Sequence, residues 1–291
     1  MRNIFRGLQL RLTMSETSSG FREIRAGSHS LHLLGSVLVD DTIVRFSDEQ
    51  PFETIGERYV FANGFSGAKE SMAVPRCVAA SAGYDARALG ANHNHIANAI
   101  SRYADEIVAV AGIEDKTQER NEAERVHLVG VSMGGAAVLR AALLYPKIAT
   151  VTAEVPACIS DTSQIIDFFQ GIPERSRELK RLIKQRPGFV LCAAFSSLIG
   201  TVRRPLGFIG EAFELATEKV TKDIKAIQAT PNSPHIRILL GDKDGIVRKQ
   251  GVINAANRLG VEVIVLDTGH INGVLTDRNY TQKVIDMNKA A

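Results

Sequence analysis

Gly130-Val131-Ser132-Met133-Gly134 sets a serine between two glycines at G-x-S-x-G spacing, and Gly135 follows. A hydroxyl used as a nucleophile must stand clear of the element that carries it. A sharp strand-to-helix turn achieves this. It strains the backbone at the serine and crowds the positions two residues away on either side, so only small residues fit there. The helix that follows points its unpaired N–H groups at the same spot. A bare G-x-S-x-G arises by chance in roughly one chain in eight of this composition. Its setting therefore matters more than the motif. Here it follows the apolar run RVHLVGV and opens a helical pattern that ends before Pro146.

Serine at its free pKa needs a neighbouring base. Of seven histidines, His270 is the best placed, in the glycine-containing loop just past the last strand-like run. His127 lies inside a strand-like run and reads as a packing residue. His29 and His32 fall in an N-terminal hairpin, and His235 starts a strand. His93 and His95 read as packing at a helix start. An acid that orients the base should follow the run HIRILL, and Asp242 and Asp244 both do. No histidine pairing with a third ligand at metal spacing is present, so no metal and no cofactor is expected.

These side chains need a scaffold. Residues 31–39 and 42–46 read as a hairpin, and 58–62, 76–81, 125–131, 148–155, 235–240 and 261–266 as strands. Helical spacing marks 93–111, with Ile96, Ile100, Tyr103, Ile107 and Val110 on one side, and 136–145. Short strands alternating with helices predict a mainly parallel sheet covered on both faces. Residues 157–231 break the alternation. They read as a helical insertion and hold six of the twelve phenylalanines. Within it, 188–200 is apolar and rich in small residues, which suits an acyl pocket or ordinary packing. Residues 174–186 hold six basic and two acidic side chains, which suits an anionic ligand, a lipid surface or a solvated face.

The organisation expected is a tail at 1–20, an α/β core at 21–156 and 232–291, and a cap at 157–231. The chain has 35 Lys+Arg and 32 Asp+Glu; Arg2, Arg6 and Arg11 lie in an acid-free start, so the remainder is balanced. That start lacks the apolar core of a secretory signal and reads as a frayed tail, with a short transit peptide as the competing reading. A neutral body argues against nucleic acid as the main partner. Three cysteines without CxxC spacing suit buried thiols in a reducing, cytoplasmic setting. No run of 18 apolar residues predicts a transmembrane helix. Oligomeric state is left open.

VHLVGVSMGG resembles the nucleophile elbow of the α/β-hydrolase superfamily, and further segments follow in that family's order. Asn63-Gly64-Phe65 is similar to its His-Gly-x oxyanion loop, with asparagine in place of histidine. Residues 85–92 resemble its D-x-R-G-x-G-x-S segment, with Ala88 and Asn92 as departures. LLGDKDGIV resembles its acid loop and DTGH its histidine loop. The resemblance implies an α/β-hydrolase fold, a mainly parallel sheet flanked by helices with a helical cap insertion. Ser132, Asp244 and His270 would form the triad. Met133 and Phe65 would supply the oxyanion N–H groups, with Gly130 and Gly134 in the elbow and Asn63 and Gly64 in the oxyanion loop. The G-x-x-D-x-x-V pattern selects Asp244 over Asp242.

The reading that follows is a serine hydrolase acting on a small-molecule carboxylic ester or related acyl compound through an acyl-enzyme. Thioester hydrolysis, acyl transfer, perhydrolysis and carbon–carbon bond hydrolysis are alternatives on the same residues. A non-catalytic small-ligand binder is the alternative from another class. A serine at the elbow argues against the haloalkane dehalogenase and epoxide hydrolase branches, where the resemblance would place an aspartate.

Overall fold

The computed structural model describes residues 13–16, 22–25, 36–39, 42–45, 57–65, 72–90, 98–113, 125–145, 148–159, 205–244, 249–270 and 278–289, with isolated positions between 176 and 202 and at 247. His29, His32, His93, His95, Asn92, Cys192 and most of 157–204 lie outside them.

Four short strands, β1 (Thr13–Glu16), β2 (Arg22–Arg25), β3 (Ser36–Val39) and β4 (Thr42–Arg45), form an antiparallel sheet of order β1-β2-β4-β3. β3 and β4 pair as the expected hairpin. β1 falls within the residues expected to be a tail, yet Thr13–Glu16 registers against Arg22–Arg25.

Among the described residues the main sheet has six parallel strands in the order β10-β9-β8-β7-β5-β6. They are β5 (Glu57–Ala62), β6 (Asp85–Leu89), β7 (Arg125–Val131), β8 (Ile148–Glu154), β9 (His235–Gly241) and β10 (Glu262–Leu266). β7 and β8 are buried almost end to end, as strands covered on both faces must be. Helices α1 (Ala73–Ser81) and α7 (Arg278–Lys289) pack together on one face. On the other, α2 (Ala99–Ala111), α3 (Met133–Leu144), α5 (Thr221–Gln228) and α6 (Lys249–Leu259) lie in succession, each touching the next. Helix α4 (Pro205–Thr217) rests on α2. No strand occurs among the described residues of 157–231. Ile224 and Ile227 of α5 belong to the main core, so the end of that segment is part of the helical layer.

One strand expectation is corrected. Residues 76–81, read as a strand, are the end of α1, and the strand comes later, at Asp85–Leu89. RCVAAS is too short for periodicity to separate strand from buried helix. Pro75 is tolerated because it lies in the first turn. β6 escaped notice because its charges resemble a loop; among the described strands it lies at the edge of the sheet, where charged side chains are usual. Buried Asp85 accepts from Arg58 Nε (2.5 Å) and from Arg87 Nη2 (2.8 Å). The two guanidinium groups in turn donate to the last carbonyls of α2, Arg58 to Ala111 and Arg87 to Val110 (2.6 Å). Cations there satisfy orphan carbonyls and oppose the helix dipole.

Candidate active site

Ser132 sits between β7 and α3 at φ 55° and ψ −114°. A non-glycine residue at positive φ is strained, and the surroundings must hold it there. They do so by close packing. A Cβ on Gly130 would lie 2.2 Å from the Gly134 carbonyl oxygen, and a Cβ on Gly134 would lie 2.4 Å from the carbonyl oxygens of Ala62 and Asn63. The Ser132 N–H donates to the Glu154 carbonyl (2.9 Å), and its carbonyl accepts from Ala157 N–H (3.0 Å). Met133 is fully buried at the first position of α3, where its N–H has no acceptor within the helix.

The loop after β5 comes up against this turn. A Cβ on Gly64 would be 3.0 Å from Ser132 Cβ and 3.6 Å from its Oγ. Asn63, which stands where the resembled loop carries histidine, is buried, and its side-chain oxygen accepts the Gly64 N–H at 2.7 Å. That N–H is thereby engaged, and the next residue, Phe65, is half-buried against the core. The loop is braced from below. The Tyr103 hydroxyl donates toward the carbonyls of Asn63 (3.1 Å) and Leu89 (3.3 Å), and complete burial holds its pKa well above the ordinary value.

His270 and Asp244 meet directly. His270 Nδ1 lies 2.8 Å from Asp244 Oδ2, and both side chains are nearly buried. This bond assigns the proton to Nδ1 and leaves Nε2 as an acceptor. Asp244 Oδ1 accepts the Val247 N–H at 3.1 Å. The carboxylate is therefore held at both oxygens. Asp242 instead is exposed and pairs with Lys249. The two loops are laced together: Asp242 N–H donates to Leu266 (2.7 Å), Lys243 N–H to Thr268 (3.0 Å), and Lys243 Nζ pairs with Asp267 (2.5 Å). Gly241 is required at the crossing, because a Cβ there would lie 2.5 Å from the Thr268 carbonyl oxygen. Ser132, the Asn63–Phe65 loop and the Asp244–His270 pair thus share the carboxyl edge of one parallel sheet, the edge where such sheets gather ligands.

His127 is a core residue, stacked 4.6 Å from the Tyr59 ring, with Nδ1 2.9 Å from Thr150 Oγ1. His235 is exposed and pairs with Glu262. Among the described residues no group of three or more His, Cys, Asp and Glu could hold a metal. Cys158 is a buried free thiol whose pKa burial pushes up to about 12.

Sequence reasoning missed Glu154. It ends β8 with its carboxylate 2% exposed, beside the Ser132 turn. It is hydrogen-bonded to Tyr280, whose hydroxyl is raised well above its ordinary pKa by burial and by this carboxylate. A lone acid ending the apolar run IATVTAE was the available signal. Tyr103 was seen only as one position of an apolar helical stripe.

A six-stranded parallel sheet with this turn and these loops defines an α/β hydrolase. Residues 60–282 match the model of the "Alpha/beta hydrolase family", and the chain belongs to that family. No curated protein matches the chain in sequence. Among solved structures, it is similar to the enol-lactonase from Burkholderia xenovorans at 15% identity and TM-score 0.58, over 87% of this chain and 99% of that one. It is similar to the 2-hydroxy-6-oxo-6-phenylhexa-2,4-dienoate hydrolase from Rhodococcus sp. at 15% identity and TM-score 0.57, over 97% and 100%. A carboxylesterase structure from Nitrososphaera gargenis matches at 12% identity and TM-score 0.56, over 82% and 92%.

Proposed function

We propose that the protein is a serine hydrolase that cleaves a carboxylic ester or a related small acyl compound through an acyl-enzyme. The observation that carries this reading is the Asp244–His270 bond at the same sheet edge as the strained Ser132. Ser132 Oγ attacks the acyl carbon, and His270 Nε2 takes its proton. The same imidazolium returns the proton to the leaving alkoxide. Asp244 holds the ring in the Nδ1–H tautomer and stabilises its charge. Backbone N–H groups of Met133 and Phe65 receive the oxyanion; one such donor is worth about 3 kcal/mol in the transition state. Water then repeats the cycle on the acyl-enzyme with His270 as base. The positive φ at Ser132, at the end of β7 and the start of α3, supports this role.

The segment between β8 and β9, of which α4 is a part, is proposed as the cap that shapes the acyl pocket. The buried free thiol Cys158 suits a reducing, cytoplasmic setting. An enol-lactonase and a carboxylesterase stand among the similar structures, so acyl chemistry is at home on this fold. Fold likeness alone names no substrate.

Intact mass after treatment with a fluorophosphonate tests the proposal. One adduct is expected on the wild type and none on Ser132→Ala, with His270→Ala slowed strongly. A folded wild type that takes no adduct would remove the activated serine and leave a binding protein on this fold.

A further inference from the structure

Helix α4 is amphipathic the wrong way round for a helix packed on a protein. Its carboxylates face inward. Glu211 is 3% exposed. Glu214 caps α2, accepting from Ala99 N–H (2.5 Å) and Ile100 N–H (2.7 Å), and Glu218, just past the helix, accepts from Arg140 Nη2 at 2.6 Å. Three of its large apolar side chains face out, while Leu215 packs half-buried on the core: Leu206 is 47%, Ile209 55% and Phe213 63% exposed, at i, i+3 and i+7. Leu198 and Val202, just before it, are exposed as well. An ordinary surface helix buries this stripe and wets its acids. A contiguous exposed apolar face marks a surface meant to be covered.

Charge says by what. Residues 198–213 contain Arg203 and Arg204 and one acid, Glu211, which is buried. Residues 174–204 carry eight Lys and Arg against two Glu, and Arg177, Lys180 and Lys184 are exposed beside exposed Ile183. An exposed apolar stripe in a stretch of sequence this rich in cations complements an acidic lipid surface. The same excess of cations in this stretch of sequence opposes a two-fold contact with a second copy.

We propose that the outward face of α4 docks on anionic lipid bilayers, with Leu206, Ile209 and Phe213 entering the headgroup boundary. The helix lies in the interface plane; among the described residues no helix is long and apolar enough to cross a membrane. α4 seats on the N-terminal end of α2 through Glu214. The inference does not depend on the proposed hydrolysis.

Flotation of the full chain with phosphatidylcholine vesicles, with and without about one-third phosphatidylglycerol, tests it. Wild type should float with the anionic vesicles and far less with the neutral ones. Leu206→Ser/Ile209→Ser/Phe213→Ser should weaken binding by about thirtyfold or more, with its thermal unfolding unchanged. The chain has no tryptophan, so Phe213→Trp adds a single reporter whose emission should shift to the blue on the anionic vesicles. Three results would each overturn the proposal. The first is no flotation of wild type and no blue shift of the reporter. The second is equal flotation of the triple variant, which would put binding elsewhere. The third is a lipid-free dimer, seen by sedimentation, that the triple variant abolishes; the partner would then be a second copy.

Discussion

Two aspartates two residues apart have opposite fates in this chain. Asp244 is buried against His270 and accepts a second bond from Val247, whereas Asp242 is exposed with Lys249. In the proposed mechanism the first is needed and the second is not. Asp244→Asn keeps the shape but favours the wrong tautomer. It should lower kcat on an activated ester by roughly a thousandfold or more, while Asp242→Asn should stay within about twofold of wild type. Steady-state kinetics of the two variants make the comparison, and equal losses would contradict the assignment. Ser132 needs no such choice, since glycines at 130 and 134 are dictated by backbone contacts that any Cβ would violate.

Helix α2 shows how elements secure one another. Its C-terminal carbonyls receive Arg58 from β5 and Arg87 from β6, and its N-terminal N–H groups receive both oxygens of Glu214 from α4. Asn98, the residue at its N-cap, makes no side-chain cap bond, so the cap comes from a residue 115 positions away in sequence. Glu214→Ala should lower stability by about 1–2 kcal/mol, because two buried donors lose a charged acceptor that also complements the helix dipole. The measurement is a shift in the denaturant midpoint at constant slope. Arg140 extends the same link, donating to Glu218 and to Asp223 (2.5 Å) and so tying α3 to the far end of α4.

The molecule as a whole is organised about β7 and β8, buried strands with two neighbours on each side in the six-stranded order. β6 and β10 are edges, and β10 is partly exposed along its length. Protection against exchange follows burial and ladder position. Amides of 126–131 and 149–154 should exchange last, and those of 262–266 earlier. Peptide-resolved hydrogen–deuterium exchange reads the order, and faster exchange at β8 than at β10 would contradict it. Ser132 follows directly on the end of β7, so its strained turn is anchored on the most deeply buried strand pair of the sheet.

Local chemistry carried much of this into the amino-acid order. The strand-turn-helix at 125–144 was readable because each part has its own signal: an apolar run, small residues around a serine, a helical pattern stopped before a proline. The alternation of strands and helices, and His270 in a loop past the last strand, were readable on the same grounds. Local signals failed where a choice depends on what lies across space. RCVAAS fits a strand or a helix equally, and α1 formed because α7 and the sheet offered it a packing surface. By residue type alone Asp242 and Asp244 are equivalent; the register of β9 on β10, with Gly241 pressed on Thr268, turns one inward. Glu154 and Tyr280 are unremarkable until the fold buries them together. The orientation of α4 is the plainest case. A periodic pattern defines two faces but not which one meets water. That depended on Arg140 and the bare N–H groups of α2 waiting underneath, where carboxylates bind and leucines cannot.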